Sequence, residues 1–183
     1  MNSYIDIEVK PDAEMRENVL MNKVYTKLHK TLCDSKAIDI GVSFPRYKVM
    51  LGKILRVHST AERLSQLQES NWLGGLSGYC EVSGVQTVPD SAKYRIVSRI
   101  QSNMSKSKLN RLIKRRSISE SEIKSYKAKM FSVGLDNPYL ELESGSNGFV
   151  HRRYIKFGVL METPITGSFD QFGLSKDATI PWF

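Results

Sequence analysis

The chain has 183 residues, of which 40% are hydrophobic and 25% charged, so it can bury a core as one domain or two small ones. Lys and Arg number 27 against 19 Asp and Glu, and the net charge of +8 favours a polyanionic partner. Composition alone does not distinguish nucleic acid from an acidic membrane surface. No apolar run is long enough to span a membrane, and acidic residues near the start argue against a signal peptide, so we expect a cytoplasmic protein without a membrane partner.

The first 90 residues show the periodicities of alternating strands and helices. Ile5, Ile7 and Val9 alternate with polar residues, which predicts a half-buried strand. Apolar residues at every fourth position then predict a helix of about 20 residues. Ser59 with Glu62 has capping-box spacing and predicts the start of a second helix. The other strands of this half are predicted at residues 38–44, 54–57 and 79–88. The order β-α-β-β-α-β is the ferredoxin-like pattern.

The second half differs in character after Pro89, so we place a domain boundary near residue 90, with domains at 1–90 and 91–183. Ser119 with Glu122 again has capping-box spacing and predicts a helix that ends near Gly134. Strands are predicted at residues 94–101, 138–142, 149–159 and 167–174. The sequence thus predicts an α+β fold, in which an α+β domain follows the ferredoxin-like one.

The most basic stretch of the chain, residues 106–116, is predicted to form an amphipathic helix. Leu109, Leu112 and Ile113 share one face of it, and no acidic residue interrupts the stretch. Because Arg and Lys bind phosphates or guanine edges, we favour a nucleic-acid contact over a merely solvated charged face. The candidate contacts are Lys108, Arg111, Lys114, Arg115 and Arg116. Arg116 falls within the apolar stripe, so it either ends the helix or leaves the stripe for the ligand.

The three histidines, His29, His58 and His151, are candidates for chemistry. An imidazole suits the removal of a proton from a ribose 2′-hydroxyl, and RNA then supplies its own nucleophile. His29 borders the apolar face of the first helix, a position more typical of a half-exposed residue. His58 is expected in a turn, and His151 is expected to contact ligand or solvent. Because no metal-binding spacing accompanies these residues, no metal or other cofactor is predicted.

The turn Ser144-Gly145-Ser146-Asn147-Gly148 is rich in hydroxyls and backbone donors. Turn chemistry alone explains this composition. A role in holding a ribose or a phosphate is the alternative.

Short segments spread along nearly the whole chain form one pattern. They are Tyr4–Ile7, Lys27–His29, Gly41–Pro45, Tyr94 with Val97–Gln101, the basic helix, Leu142–Ser146, Gly173–Lys176 and Pro181–Phe183. In order and spacing these segments resemble the CRISPR repeat-processing endoribonucleases of type I-F systems. The segments near the C-terminus are the most specific part of the resemblance.

The resemblance implies a metal-independent endoribonuclease that binds a hairpin in CRISPR precursor RNA and cleaves at its base, leaving a 2′,3′-cyclic phosphate and a 5′-hydroxyl. It implies that the arginine-rich helix of a C-terminal domain lies in the major groove of the hairpin. His29 matches the catalytic histidine, Ser144 the serine that holds the attacking ribose, and Ser146 a second hydroxyl nearby. Arg99 and Gln101 match residues that read base pairs near the foot of the stem.

Three positions depart from the family pattern. Phe172 aligns with a tyrosine beside the active-site histidine. The aromatic residue that stacks on the end of the stem aligns with His151, and Phe149 is the other candidate for that contact. One arginine position of the basic helix falls on Leu112, so we expect the two arginines four residues apart on its charged face to recognise the stem.

The resemblance also implies partners. We expect a protein that is monomeric on its own, stays bound to the cleaved crRNA and joins the other subunits of a type I-F surveillance complex. The alternative is a non-catalytic cap that holds a guide RNA in such a complex, which Phe172 and the altered helix would favour. A generic RNA-binding module explains the charge but not the C-terminal segments.

Overall fold

The structure, a computed structural model, describes residues 1–100, 106–132, 136–143 and 148–183. Ten strands, four α-helices and a 3-10 helix (Gly74–Tyr79) lie in these ranges. The strands are β1 (Ser3–Val9), β2 (Gly41–Ser43), β3 (Ile54–Ser59), β4 (Cys80–Val82), β5 (Gln86–Thr87), β6 (Lys93–Arg95), β7 (Val97–Ile100), β8 (Tyr139–Glu143), β9 (Val150–Phe157) and β10 (Ile180–Trp182). The helices are α1 (Glu17–Asp34), α2 (Ala61–Glu69), α3 (Lys106–Lys114) and α4 (Glu120–Ser132). The fold is mixed α and β, as predicted.

The first sheet has strand order β2-β3-β1-β4, with β5 also paired to β1, and its ladders are antiparallel. Ile5, Ile7 and Val9 of β1 are buried, which confirms the alternation predicted for this strand. Helix α1 lies between β1 and β2 in the chain, and α2 lies between β3 and β4. Both helices contact the sheet, so helices and sheet enclose a common apolar core.

Helix α1 buries the predicted stripe, with Leu20, Val24, Leu28 and Leu32 all almost fully inaccessible. It ends in a Schellman motif, since the amide of Ala37 donates to the carbonyl of Leu32 at 3.0 Å. Lys36, directly before Ala37, has the positive φ of 49° that this motif needs. Helix α1 also contacts β8, so the same helix packs against elements from both halves of the chain.

A second sheet has the antiparallel order β7-β9-β8. Its buried residues Val97, Leu140, Leu142 and Ile155 belong to the same core cluster as the buried face of α1. A contact between backbone and side chain fixes the packing, because the amide of residue 141 donates to Oδ1 of Asn22 at 3.1 Å. Strands β8 and β9 correspond to the strands predicted at 138–142 and 149–159.

The predicted strand at 167–174 is wrong, because none of these residues is in a strand and the chain turns at residues 171–173. Oδ1 of Asp170 accepts the amides of Phe172 at 2.8 Å and Leu174 at 3.0 Å, so a side chain occupies the donors that a strand ladder would need. Three other predicted strands are shorter or interrupted. The segment 38–44 is extended only in β2, 79–88 divides between the 3-10 helix, β4 and β5, and 94–101 is interrupted at residue 96.

The two predicted helix caps have different outcomes. Ser119 and Glu122 form the reciprocal capping box, with Oε2 of Glu122 accepting the Ser119 amide at 2.8 Å. The other predicted cap is one residue too early, because Ser59 is the last residue of β3 and Thr60 is the N-cap of α2. The predicted end of α4 near Gly134 lies outside the described residues.

The last residues of the chain pack against both halves of the molecule. The rings of Tyr47 and Phe157 stack 3.7 Å apart, and Trp182 meets the ring of each edge-on at 5.7 Å. Arg56 makes two hydrogen bonds to the carboxylate of Asp6 and donates to the carbonyl of residue 183. These contacts give the C-terminal segment a structural role. In the described part of the chain, no helix is both long and apolar enough to cross a membrane.

Candidate functional site

A cavity of about 290 Å³ lies between α1 and the face of the second sheet that packs against it. Register explains which side chains reach it. Arg99 is opposite the buried Ile155, and Arg153 is opposite the buried Leu140, so the two arginines lie on the core-facing side of the sheet. The titratable side chains that line the cavity are those of His29, Arg99, Glu143, His151, Arg152 and Arg153.

The ring of His29 is held by a main-chain acceptor. Its Nδ1 lies 2.7 Å from the carbonyl oxygen of Gln171, which follows it by 142 residues in the chain. A carbonyl only accepts, so Nδ1 carries the proton of this bond. In the neutral ring Nε2 is therefore the nitrogen with a lone pair. Sγ of Cys33, one helical turn further on, lies 3.5 Å from Nδ1 and donates to Oε1 of Gln171 at 3.2 Å.

The ring of Phe172 lies between an imidazole and a guanidinium. Its centroid is 3.6 Å from that of His29, with the two planes 13° apart. Cζ of Arg153 lies 3.4 Å from the centroid of the Phe172 ring. Cation–π contacts of this kind contribute roughly 0.5–2 kcal/mol, depending on how far the cation is desolvated. The stack therefore fixes the ring plane of the histidine without a hydroxyl at position 172.

The backbone at Phe172 is itself fixed by the core. The buried hydroxyl of Tyr25 donates to the carbonyl of Phe172 at 2.6 Å. Burial raises the pKa of Tyr25 far above its usual range, so this donor keeps its proton. The carboxylate of Asp170 holds the amide of Phe172 from the other side. The backbone of Phe172 is thus held by two groups, the buried hydroxyl of Tyr25 and the carboxylate of Asp170.

The cavity is cationic. Burial, with the nearby charge of Arg99 as the second cause, lowers the pKa of Arg153. Nε of Arg153 is buried and has no hydrogen-bond partner among the described residues. Arg152, in contrast, forms an ion pair with Glu141 at 3.1 Å. Two guanidinium groups that lie close enough to repel each other in a cleft favour an anionic ligand such as a phosphate.

The predicted site residues fall into several groups. His29, Arg99, His151 and Phe172 line the cavity together. Phe149 precedes β9 and is 68% exposed. The predicted contacts Gln101, Ser144 and Ser146 lie outside the described residues.

The basic helix α3 lies apart from this cavity. It buries Leu109 and exposes the side chains of the charged arc, namely Lys108, Arg111 and Lys114, followed by the exposed Arg115. Arg116 has a φ of 51°, and its amide donates to the carbonyl of Ile113 at 2.9 Å. Of the two alternatives for Arg116, the structure therefore supports a position at the helix end.

His58 is a core residue, and the prediction that it occupies a turn is wrong. It lies within β3, fully buried, with Nε2 2.8 Å from the hydroxyl of Ser43. Burial lowers the pKa of His58 to about 3, so the ring stays neutral. No group of three or more potential metal ligands occurs within the described ranges.

Sequence reasoning missed three parts of this site. A backbone carbonyl such as that of Gln171 has no sequence signal. Cys33 lies four residues after His29 on a helix, and this spacing could have revealed it. Arg153 stands out only once the strand register shows that it shares a sheet face with Arg99.

Known proteins match the chain over its whole length. The family model described as CRISPR-associated protein (Cas_Csy4) matches residues 4–183. The chain belongs to this family. A CRISPR-associated endonuclease Cas6/Csy4 from Escherichia coli (strain UTI89 / UPEC) is 38% identical over 184 residues and covers 100% of both chains. A protein of the same name from Pseudomonas aeruginosa (strain UCBPP-PA14) is 36% identical over 187 residues, again with 100% of both chains covered.

Proposed function

We propose that this protein is an endoribonuclease that binds the CRISPR repeat hairpin and cleaves precursor crRNA at the base of the stem. The observation that carries the proposal is the bond from Nδ1 of His29 to the carbonyl of Gln171, because it leaves Nε2 as a base in a cationic cavity. Membership of the Cas_Csy4 family and the endonuclease names of the relatives support the same activity.

The reaction needs only RNA and side chains. Nε2 of His29 takes the proton of the 2′-hydroxyl, and the 2′-oxygen attacks the adjacent phosphorus. The bond from phosphorus to the 5′-oxygen then breaks, and that oxygen takes up a proton, which the imidazolium can supply. The products are a 2′,3′-cyclic phosphate and a 5′-hydroxyl. Arg153 stabilises the charge that develops on the phosphate oxygens.

Ser144 holds the attacking ribose in this proposal, and Ser146 supplies a second hydroxyl. Ser144 directly follows Glu143, a cavity residue, in the chain. His151 is the better candidate than Phe149 for stacking on the foot of the stem, because His151 lines the cavity. Phe172 positions the catalytic imidazole through its ring face.

The hairpin would lie along the basic helix. In α3 and the residue that follows it, Arg111 and Arg115 are four positions apart and both exposed, which suits contact with a major groove. Lys108, Lys114 and Arg116 add phosphate contacts. Arg99 and Gln101 read base pairs near the foot of the stem, where the RNA duplex meets the cavity.

The strand order β2-β3-β1-β4 with one helix after β1 and one after β3 supports a ferredoxin-like domain at 1–90. Residues 91–183 form the hairpin-binding domain. We propose a cytoplasmic monomer that keeps its cleaved RNA and joins the other subunits of a type I-F surveillance complex.

Cleavage of labelled repeat RNA in excess EDTA tests the proposal, with the same RNA carrying 2′-deoxyribose at the cut site as the control. We expect cleavage of the first RNA and none of the second. Cleavage of the deoxy RNA would contradict attack by the 2′-hydroxyl, and cleavage abolished by EDTA would contradict metal independence. Tight hairpin binding with no cleavage of either RNA, with or without magnesium, would instead identify a non-catalytic cap.

A further inference from the structure

A second and larger space adjoins the catalytic cavity. This side groove, of about 1050 Å³, shares Arg99, Arg153 and Phe172 with the cavity and extends past the end of α1 to the segment 168–177. Sites of roughly 300–1,000 Å³ enclose drug-sized ligands. The side groove is therefore large enough for one or two nucleotides beside the cavity.

The charged side chains of the side groove are mainly cationic. Lys36 and Lys176 line it together with the two shared arginines, and Asp170 and Asp177 are its acidic residues. Oδ1 of Asp170 already accepts two backbone amides, so that carboxylate is engaged in holding the turn. The excess of cations suits phosphodiester groups.

The side groove also has an apolar edge and a fixed rim. Ile38 lines it and is 64% exposed, which offers an apolar surface that a nucleobase can cover. Lys36 occupies the left-handed position of the Schellman motif at the end of α1, so its backbone is held in one conformation. A cation and an apolar side chain thus line the same part of the side groove, where they can contact a phosphate and a base of one strand.

The order of elements along β7 gives the side groove a direction. At the start of β7, the carbonyl of Val97 accepts the amide of Ser175, which is a side-groove residue, at 3.0 Å. His151, which lines the cavity but not the side groove, lies three residues beyond Tyr154, the partner of Ile100 at the end of β7. The basic helix follows β7 in the chain. The side groove therefore lies towards the start of β7. The cavity lies towards the end of β7, from which the chain continues to α3.

We propose that the side groove binds the unpaired nucleotides on the 3′ side of the cut, the strand that leaves with the 5′-hydroxyl. This inference rests on the proposed function, since it requires a hairpin along α3 and a cut phosphate in the cavity. Lys36 and Lys176 contact phosphates of the leaving strand, and Ile38 contacts a base. The substrate is then a hairpin followed by single-stranded RNA.

The test compares hairpin RNAs that carry 2′-deoxyribose at the cut, so that none is cleaved. One ends one nucleotide after the cut and so keeps the cut phosphate, one has a 3′ extension of several nucleotides, and one has a 5′ extension instead. Dissociation constants are measured against salt concentration. For native protein, we expect the 3′ extension to steepen the slope of log K against log salt by about 1.4, or about 0.7 for each of two phosphates.

The variant Lys36→Asn/Lys176→Gln should remove this difference in slope and weaken binding of the 3′-extended RNA roughly threefold to tenfold. Asn tolerates the positive φ at position 36, so the helix end is kept. Lys48→Gln, at an exposed position outside the cavity and the side groove, is the control for the loss of one lysine charge and should behave as native protein.

Equal slopes for the 3′-extended and short RNAs in native protein would overturn the inference while leaving hairpin cleavage intact. So would a gain from the 5′ extension alone, or a 3′ gain that survives in the double variant. Failure of the protein to prefer any hairpin over unrelated RNA, or to cleave the ribose substrate, would overturn the proposed function and this inference with it.

Discussion

The carbonyl oxygen of Gln171 lies 2.7 Å from Nδ1 of His29, so a main-chain atom determines which ring nitrogen is available as a base. The side chain of Gln171 has a different partner, the thiol of Cys33. The proton of the imidazole is thus controlled by backbone geometry, which a substitution at position 171 leaves in place.

His29→Ala should abolish cleavage, with a loss of at least roughly 10²–10⁴-fold, because it removes the base. Hairpin affinity should change little, since the basic helix is untouched. Gln171→Ala is the matched comparison, and it should keep the rate within about threefold because the carbonyl remains. Single-turnover cleavage and equilibrium binding on the same RNA measure both effects. Loss of binding together with cleavage in His29→Ala would mean that His29 has a structural role.

Phe172→Leu should slow cleavage about tenfold, because it removes the ring that stacks on the imidazole and on Arg153. Phe172→Tyr keeps the ring and should retain the native rate within a few-fold. The comparison is made with saturating protein, so that only the chemical step is measured. Equal rates for the Leu and native proteins would show that the stack does not position the histidine.

Arg111→Ala/Arg115→Ala should weaken hairpin binding and lower the slope of log K against log salt by about 1.8, or about 0.9 for each duplex phosphate that the protein no longer neutralises. If the arginines also read bases, discrimination between the cognate stem and a stem with altered base pairs should fall as well. Lys48→Ala provides a control of equal charge change per residue. An unchanged slope would place the hairpin on another surface.

Acid should destabilise the fold through His58. Burial lowers the pKa of His58 to about 3, so on acidification the unfolded chain binds a proton that the folded chain excludes. Above about pH 6.5 this effect does not lower the free energy of unfolding. As the pH falls from 6.5 towards 3, the free energy of unfolding decreases by at most about 1.4 kcal/mol per pH unit. Urea unfolding at several pH values measures it. His58→Gln, which can still bond to Ser43, should be less stable at neutral pH but show a flatter pH profile between 6.5 and 4.5.

Local patterns in the sequence predicted the elements that support the site. The alternation of Ile5, Ile7 and Val9 and the fourfold spacing from Leu20 are consequences of burying one face, and the structure has both. The capping box at Ser119 is local chemistry as well. Such features depend on residues that are close together in the chain, so the spacing of residue types predicts them.

The site itself could not be derived from local pattern. His29 and Gln171 meet because the turn that contains Gln171 is held beside α1 by backbone bonds to β2 and β7, and no periodicity records that contact. The alternation in residues 167–174 suggested a strand, but the Asp170 carboxylate accepts the amides of Phe172 and Leu174 and so satisfies them without a partner strand. Among the three histidines, family resemblance and not local pattern singled out His29.

The bonds that hold Phe172, from Tyr25 on one side and Asp170 on the other, exist in the protein without RNA. The rotational freedom of the neighbouring imidazole is consequently lost during folding and not during the encounter with substrate. Binding of the RNA then does not have to order the His29 ring. Two RNAs with the same stem but different stiffness at the cut should then differ in turnover by the entropy of their own ordering, with the stacked His29 and Phe172 rings contributing equally to both.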